Sequence, residues 1–172
     1  NDITRYSLHQ ADFRTWEPRQ AYDIVVSFGF VEHFLDYEQI IRKHAALVAP
    51  GGWLIMTMPN FRYGQYVLHR LCDQANLRRH NLAVMNPRML RRVLSQEQMQ
   101  LLRVGYYGTF DFWIEPDRRR PLEAWMARQV LRLTAEARYI VRHRKLDLPT
   151  ALFSPYIIAV ARKPSAWTNG SS

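Results

Sequence analysis

The sequence predicts an α/β fold built on a parallel pair of strands, and three features carry that expectation. Tyr22-Asp23-Ile24-Val25-Val26-Ser27-Phe28 is a short, β-branched apolar run, the pattern of a strand covered on both faces. Ile40, Ile41, His44, Ala45, Leu47 and Val48 then recur at helical spacing until Pro50-Gly51-Gly52 stops them. Trp53-Leu54-Ile55-Met56-Thr57-Met58 supplies a second buried strand, closed by Pro59-Asn60. Strand, helix, glycine turn and strand make a βαβ unit, whose two strands must run parallel.

The remaining elements follow in order. Asp36 is a good N-cap for the helix, and Glu38 puts negative charge in its first turn. Residues 61–85 are aromatic and basic, helical around Tyr66, Val67, Arg70 and Leu71 and irregular from Asn76 to Met85. Asn86-Pro87 reads as N-cap and first residue of a short helix with Leu90, Val93 and Leu94 on one face. Leu101–Tyr107 is a third strand. Pro121 opens the longest helix, whose stripe (Leu122, Trp125, Met126, Val130, Leu133, Ala137, Ile140) is expected to cover one face of the sheet. Because it is also basic, a membrane surface or a partner is the alternative for that helix. Phe153–Ala161 is a final, antiparallel strand, and residues 164–172 form a polar tail.

Composition bounds the class. A length of 172 residues is one domain or part of one, and 48% hydrophobic with 13% aromatic residues excludes a disordered chain. Cys72 is alone, so no internal disulfide is expected, which fits a cytoplasmic protein. No run of 18 uncharged apolar residues occurs, and the first 20 residues are well charged, so neither a membrane span nor a secretory leader is expected. The net charge is +9, and 21 of the 24 basic residues are arginine. Residues 1–60 hold five basic and seven acidic groups, against nineteen and eight in residues 61–172. Patches such as Arg118-Arg119-Arg120 and Arg78-Arg79-His80 lack the aromatic interleaving of single-strand binders, so solvated helix faces are the expectation and nucleic acid the alternative.

Three segments, Ala11-Asp12-Phe13, YDIVVSFGFVEHF (22–34) and LVAPGGWLIMTMPNF (47–61), together resemble class I S-adenosylmethionine-dependent methyltransferases. A looser likeness continues through MNPRMLRRVLSQEQMQLLRVGYYG (85–108). The resemblance implies a Rossmann-like methyltransferase sheet, mostly parallel, with an antiparallel C-terminal strand and the family order 3-2-1-4-5-7-6. No G-x-G occurs in the chain, although the family carries a glycine-rich first turn. The expectation is therefore an N-terminally truncated domain lacking the first two strand–helix units. Residues 1–163 would form its C-terminal portion, with 61–100 as an acceptor-pocket insertion. The missing segment, or another chain, would be needed to complete the site.

The resemblance also implies roles. Asp12 and Phe13 match the loop that holds the adenine: the carboxylate accepts from the exocyclic amine, the next N–H donates to the ring, and an aromatic covers the base. Ser27, Phe28 and Gly29 match the strand end that holds the methionine part of S-adenosylmethionine, where ligands sit in open parallel sheets. Methyl transfer is an in-line displacement that needs positioning and, for some acceptors, a base. His33 and His80 are the candidates for that base; hydrogen bonding that only supports the next helix is the alternative for His33. Asn60, Phe61, Tyr63 and Tyr66 are expected to bind the acceptor; core aromatics on a helix face are the alternative for Phe61, Tyr63 and Tyr66. Some ubiquinone-pathway and small-RNA methyltransferases carry Glu-x-x-Glu-His around a divalent ion. Here Gly29 replaces the first Glu, leaving Glu32 and His33, with His80 as a further ligand of that alternative; losing one hard oxygen weakens such a site, and no metal ligand is assigned. The expected activity is methyl transfer to the O or N of a small molecule, such as a sugar or secondary metabolite. The alternatives are a non-catalytic remnant serving as an interaction module and an RNA methyltransferase.

Overall fold

The computed structural model describes residues 6–109, 111–112, 114, 121–144 and 149–165. The expected Arg118–Arg120 patch and the end of the polar tail lie outside them. Residues 6–21 carry no helix or strand, and the sheet begins at β1 (Tyr22–Phe28). A single 3₁₀ turn (Val31–His33) leads to α1 (Tyr37–Leu47), which returns the chain to β2 (Val48–Pro59). Then come α2 (Gly64–Cys72), α3 (Gln74–Arg78), α4 (Pro87–Gln96), β3 (Gln100–Tyr107), α5 (Pro121–His143) and β4 (Tyr156–Arg162).

The four strands lie in the order β1-β2-β4-β3, with β1 and β2 parallel and β4 antiparallel to both its neighbours. This is the 4-5-7-6 end of the order implied by the resemblance. β2 begins five residues before Trp53, because Val48 already pairs with Tyr22. The register then shifts, and Ile24 pairs with Trp53 once Ala49–Gly52 have passed. Gly52 is obligatory in this crossing: a Cβ there would stand 2.7 Å from the Asp23 carbonyl and 2.9 Å from that of Ala49.

Local signals explain the helices. Asp36 does stand at the N-cap of α1, but its side chain makes no capping bond; its carbonyl takes Gln39 and Ile40 N–H instead. At α4 the cap is complete: Asn86 Oδ1 accepts from Arg88 N at 3.0 Å, with Pro87 following. Asp73 likewise caps α3 by accepting from Asn76 N, so part of the segment expected to be irregular is helical.

The core lies between one face of the sheet and α1 and α4, with Ile40, Ile41, Leu54, Met56, Leu90, Val93, Leu94, Ile157 and Ala159 fully buried. The opposite face of β1 is bare: Ile24, Val26 and Phe28 are each more than half exposed, beside a partly exposed Trp53. The expected cover does not come from α5. That helix packs on α2 through a separate cluster of Cys72, Ala127, Leu68, Met126 and Val130, because its buried face is centred on Ala127 and Thr134. Leu122, Trp125, Leu133 and Ile140 of the expected stripe stay exposed.

Gly52→Ala is expected to destabilise the protein by about 1–3 kcal/mol through overpacking. Gly105→Ala, where an added Cβ meets nothing within 4 Å, is expected to be near neutral. Urea unfolding midpoints of the two variants check this pair.

Candidate active site at the carboxyl ends of β1 and β2

Both parallel strands end on the same edge of the sheet, and most of the candidate side chains collect there. β1 ends at Phe28, and Gly29, at φ +58°, turns the chain sharply while its N–H donates to the Thr57 carbonyl at 3.0 Å. A positive φ is strained for any residue with a Cβ, so glycine belongs at this turn. Ser27 is buried and its Oγ has no hydrogen-bond partner, whereas the Phe28 side chain is exposed.

The Asp12–Phe13 loop reaches the same end. The Phe13 ring meets Phe30 edge-on at 5.5 Å, Trp16 at 6.5 Å and His44 at 4.4 Å, with Lys43 Nζ 5.7 Å over its face. That ring is therefore spent on packing and does not offer the free aromatic face expected over a base. Asp12 also departs from expectation. Its two oxygens accept four bonds from Arg14, from the backbone N, Nε twice and Nη2, which holds the carboxyl at a pKa of about 2. The carboxylate remains solvent-exposed, and an exposed pair of this kind is weak.

Beyond Gly29 the 3₁₀ turn presents Glu32 and His33. Glu32 is 1% exposed, and its Oε2 has no partner. Burial is the main reason its pKa is raised above the usual carboxylate value. His33 is exposed, with Nδ1 3.3 Å from the Arg79 carbonyl. The segment after α3 brings His80 to it, the two ring centroids 4.7 Å apart. His80 Nδ1 lies 2.7 Å from the Asn76 carbonyl, and desolvation by burial keeps its pKa below the ordinary imidazole value. Asn81 locks the two segments together: its N–H donates to the Glu32 carbonyl at 2.7 Å and its Nδ2 to that of Phe34 at 3.0 Å.

An open cavity of about 420 Å³ adjoins this cluster, lined by Phe61, Arg62, Tyr63, Tyr66, Leu82 and Ala83. Phe61 joins the two, since its ring meets His80 edge-on at 4.8 Å. Tyr63 sits at φ +53°, unusual for a residue with a side chain, and starts α2 with its ring half exposed. Three of the four expected acceptor residues thus line the cavity. Asn60 does not: it is fully buried, and its Nδ2 donates to the Ala151 and Ser154 carbonyls at 3.0 and 2.9 Å, tying β2 to the approach to β4. Arg62, Leu82 and Ala83 were not expected as cavity residues. The Arg62 guanidinium lies 5.3 Å from the Tyr63 ring, a pairing that adjacency in sequence could have suggested. Leu82 and Ala83 carry no local signal.

A protein family described as a methyltransferase domain matches residues 3–104, more than half of the chain. The chain belongs to the methyltransferase domain family. Membership in this family implies S-adenosylmethionine as the methyl donor. Among curated proteins, the ubiquinone biosynthesis O-methyltransferase of Hydrogenovibrio crunogenus is 35% identical over 63 residues, covering 37% of this chain and 26% of that protein. A SAM dependent methyltransferase from Archaeoglobus fulgidus superposes with a TM-score of 0.52 at 14% identity, covering 94% of this chain and 69% of the other. The magnesium protoporphyrin IX methyltransferase of Synechocystis PCC 6803, solved with bound SAH, gives 0.49 at 14% identity over 89% and 49%. The methyltransferase chain described here thus spans about a quarter of its curated relative and half to two-thirds of these solved ones. No helix among its described residues is long and apolar enough to cross a membrane.

His44, which supports the Phe13 loop from α1, gives this end of the domain a pH dependence. Its ring is buried, with Nδ1 2.8 Å from the Ile40 carbonyl, and desolvation lowers its pKa below 6.5. The folded protein therefore disfavours the charged ring. His44's contribution is complete above pH 6.5 and is lost as the pH falls below it, because the unfolded chain then binds the proton more readily. Stability measured by urea unfolding is expected to fall from pH 7 to pH 5, less steeply in His44→Gln.

Proposed function

We propose that this methyltransferase domain transfers the methyl group of S-adenosylmethionine to an oxygen or nitrogen of a small, partly aromatic or apolar molecule held in the cavity beside Phe61. The observation that carries this reading is the His33–His80 pair, set between that cavity and the carboxyl end of β1.

The residues at the strand end suit the cofactor. Ser27 Oγ is a buried polar atom without a partner, and Gly29 keeps the backbone open to close approach. Asp12 would meet the adenine amine only by giving up part of its exposed Arg14 pair. Bound S-adenosylmethionine supplies an electrophilic methyl whose bond to sulfur breaks, with the electron pair leaving on sulfur, as the acceptor atom bonds to carbon. Phe61, Tyr63 and Tyr66 would fix the acceptor and exclude water from its reacting side. His33 would take the acceptor's proton: its Nδ1–H is directed to the Arg79 carbonyl, which leaves the Nε2 lone pair as the base. His80, kept neutral by burial, would hold that ring in place.

Two observations favour a second reading, a non-catalytic methyltransferase remnant serving as an interaction module. Asp12 is engaged by Arg14, and the Ile24–Val26–Phe28 face is bare. Calorimetric titration of the intact parent chain with S-adenosylmethionine separates the two, since a remnant gives no heat. For the catalytic reading, a panel of small phenols, alcohols and amines, followed by S-adenosylhomocysteine release, should yield a turnover that His33→Ala lowers by roughly 10²–10⁴-fold. Cofactor affinity in that variant should be unchanged. A variant as active as the parent would remove His33 from the chemistry. An RNA acceptor would instead show affinity that falls steeply with salt.

A further inference from the structure

We propose that the cavity beside Phe61 selects an anionic molecule, a carboxylate or phosphate carried on an apolar or aromatic body, and that Arg62 recognises the charge. As a statement about the methyl acceptor this rests on the methyl-transfer reading; anion binding in the cavity does not.

The cavity wall carries the argument. Phe61, Tyr63, Tyr66, Leu82 and Ala83 line it with rings and apolar groups, and Arg62 brings a full positive charge among them. In a pocket of this kind the apolar wall supplies contact area, and a few polar groups fix which molecule enters and which way round. A guanidinium presents a planar fork of N–H donors that matches a carboxylate or phosphate and cannot lose its charge. A neutral body of the same shape would gain nothing from it.

Arg62 is held in place and is not engaged by a carboxylate. Its N–H donates to Oδ1 of the buried Asn60 at 3.4 Å, and its carbonyl accepts from Tyr66 N at 3.4 Å. Its guanidinium stands 5.3 Å from the centre of the Tyr63 ring. Stacking of this kind restrains the side chain while leaving its N–H donors at liberty. The ion pairs among the described residues engage Arg14, Arg42, Arg92 and Arg138, and neither Arg62 nor Arg88.

Arg88 strengthens the same field. It is exposed in the first turn of α4. Burial raises the pKa of the Tyr106 hydroxyl above its ordinary value, and the charges of Arg62 and Arg88 both pull it back. Tyr106 lies near the carboxyl end of β3, and β3 runs parallel to β2 because both are antiparallel to β4. Two positive charges, from the starts of α2 and α4, therefore converge on the sheet edge that His33 and His80 also occupy. An acceptor resting on Phe61 would have the imidazole pair beside its reacting atom and its anionic group at Arg62, which fixes its orientation.

The test uses the full chain without S-adenosylmethionine, titrated with three fluorescent probes of one shape: 2-naphthoate, 2-naphthyl phosphate and the neutral 2-naphthamide. At least one acid is expected to bind about ten-fold or more tightly than the amide, with a preference that shrinks as NaCl is raised. The two acids separate a carboxylate site from a phosphate site. Arg62→Gln should weaken acid binding about ten-fold and leave the amide within about two-fold, while Arg62→Lys keeps part of the preference. Circular dichroism identifies a variant that fails to fold, and the acid-over-amide ratio of the unaltered chain then decides. Failure of all three probes to bind, equal affinity for acids and amide, or an Arg62→Gln loss shared by the amide would overturn the proposal. Turnover of neutral phenols with no preference for anionic acceptors would overturn it while methyl transfer stands. Acid binding without any S-adenosylhomocysteine release would keep the site and remove the methyl-transfer reading.

Discussion

The parallel pairing of β1 with β2 is the constraint on which the rest depends. Two parallel strands joined by a crossover leave the sheet at the same edge, so whatever follows each strand meets there. Phe28 stands opposite Thr57, and the Gly29 N–H to Thr57 carbonyl bond carries the pairing one residue past the strand. From that edge the chain turns on one side into Phe30, Glu32 and His33, and on the other into Asn60, Phe61 and the start of α2. Had the strands been antiparallel, these segments would lie at opposite ends of the sheet.

Around that edge, rings rather than ion pairs hold the parts together. Phe61 lies between two imidazoles, that of His69 at 4.0 Å and that of His80 at 4.8 Å, and His80 passes the contact on to His33. On the other side, Phe30 links Phe34, Phe13 and His44. Core and site therefore share residues: Phe61 is buried, yet it forms both the floor of the cavity and the wall behind His80. A substitution that enlarges the cavity at this position acts on stability as well as on binding. Tyr63 and Tyr66, more exposed, separate the two effects better.

The sheet is finished on one face only. α1 and α4 seal the side carrying Val25, Leu54, Met56 and Ala159, while Ile24, Val26 and Phe28 face outward from the edge strand. Apolar strands of this kind read as covered on both faces, and their sequence does so here. α5 leaves that surface open because its own tightly packed positions, Ala127 and Thr134, match α2. Its arginines and exposed apolar residues share the remaining faces.

What the sequence determined by itself was everything set by local periodicity and local caps. The bounds of β1, the helix after Asp36, the Asn86-Pro87 start of α4 and the place of the last strand all follow from neighbours within a few residues. The motifs 22–34 and 47–61 also sufficed to name the fold. Tertiary structure decided what depends on partners distant in the chain. It spent Asn60 on the carbonyls of 151 and 154, packed the Phe13 ring against the core and paired Asp12 with Arg14. It also set His80 against His33, close to the buried Glu32. Such contacts join segments tens of residues apart, and the pattern within either segment carries no trace of the other.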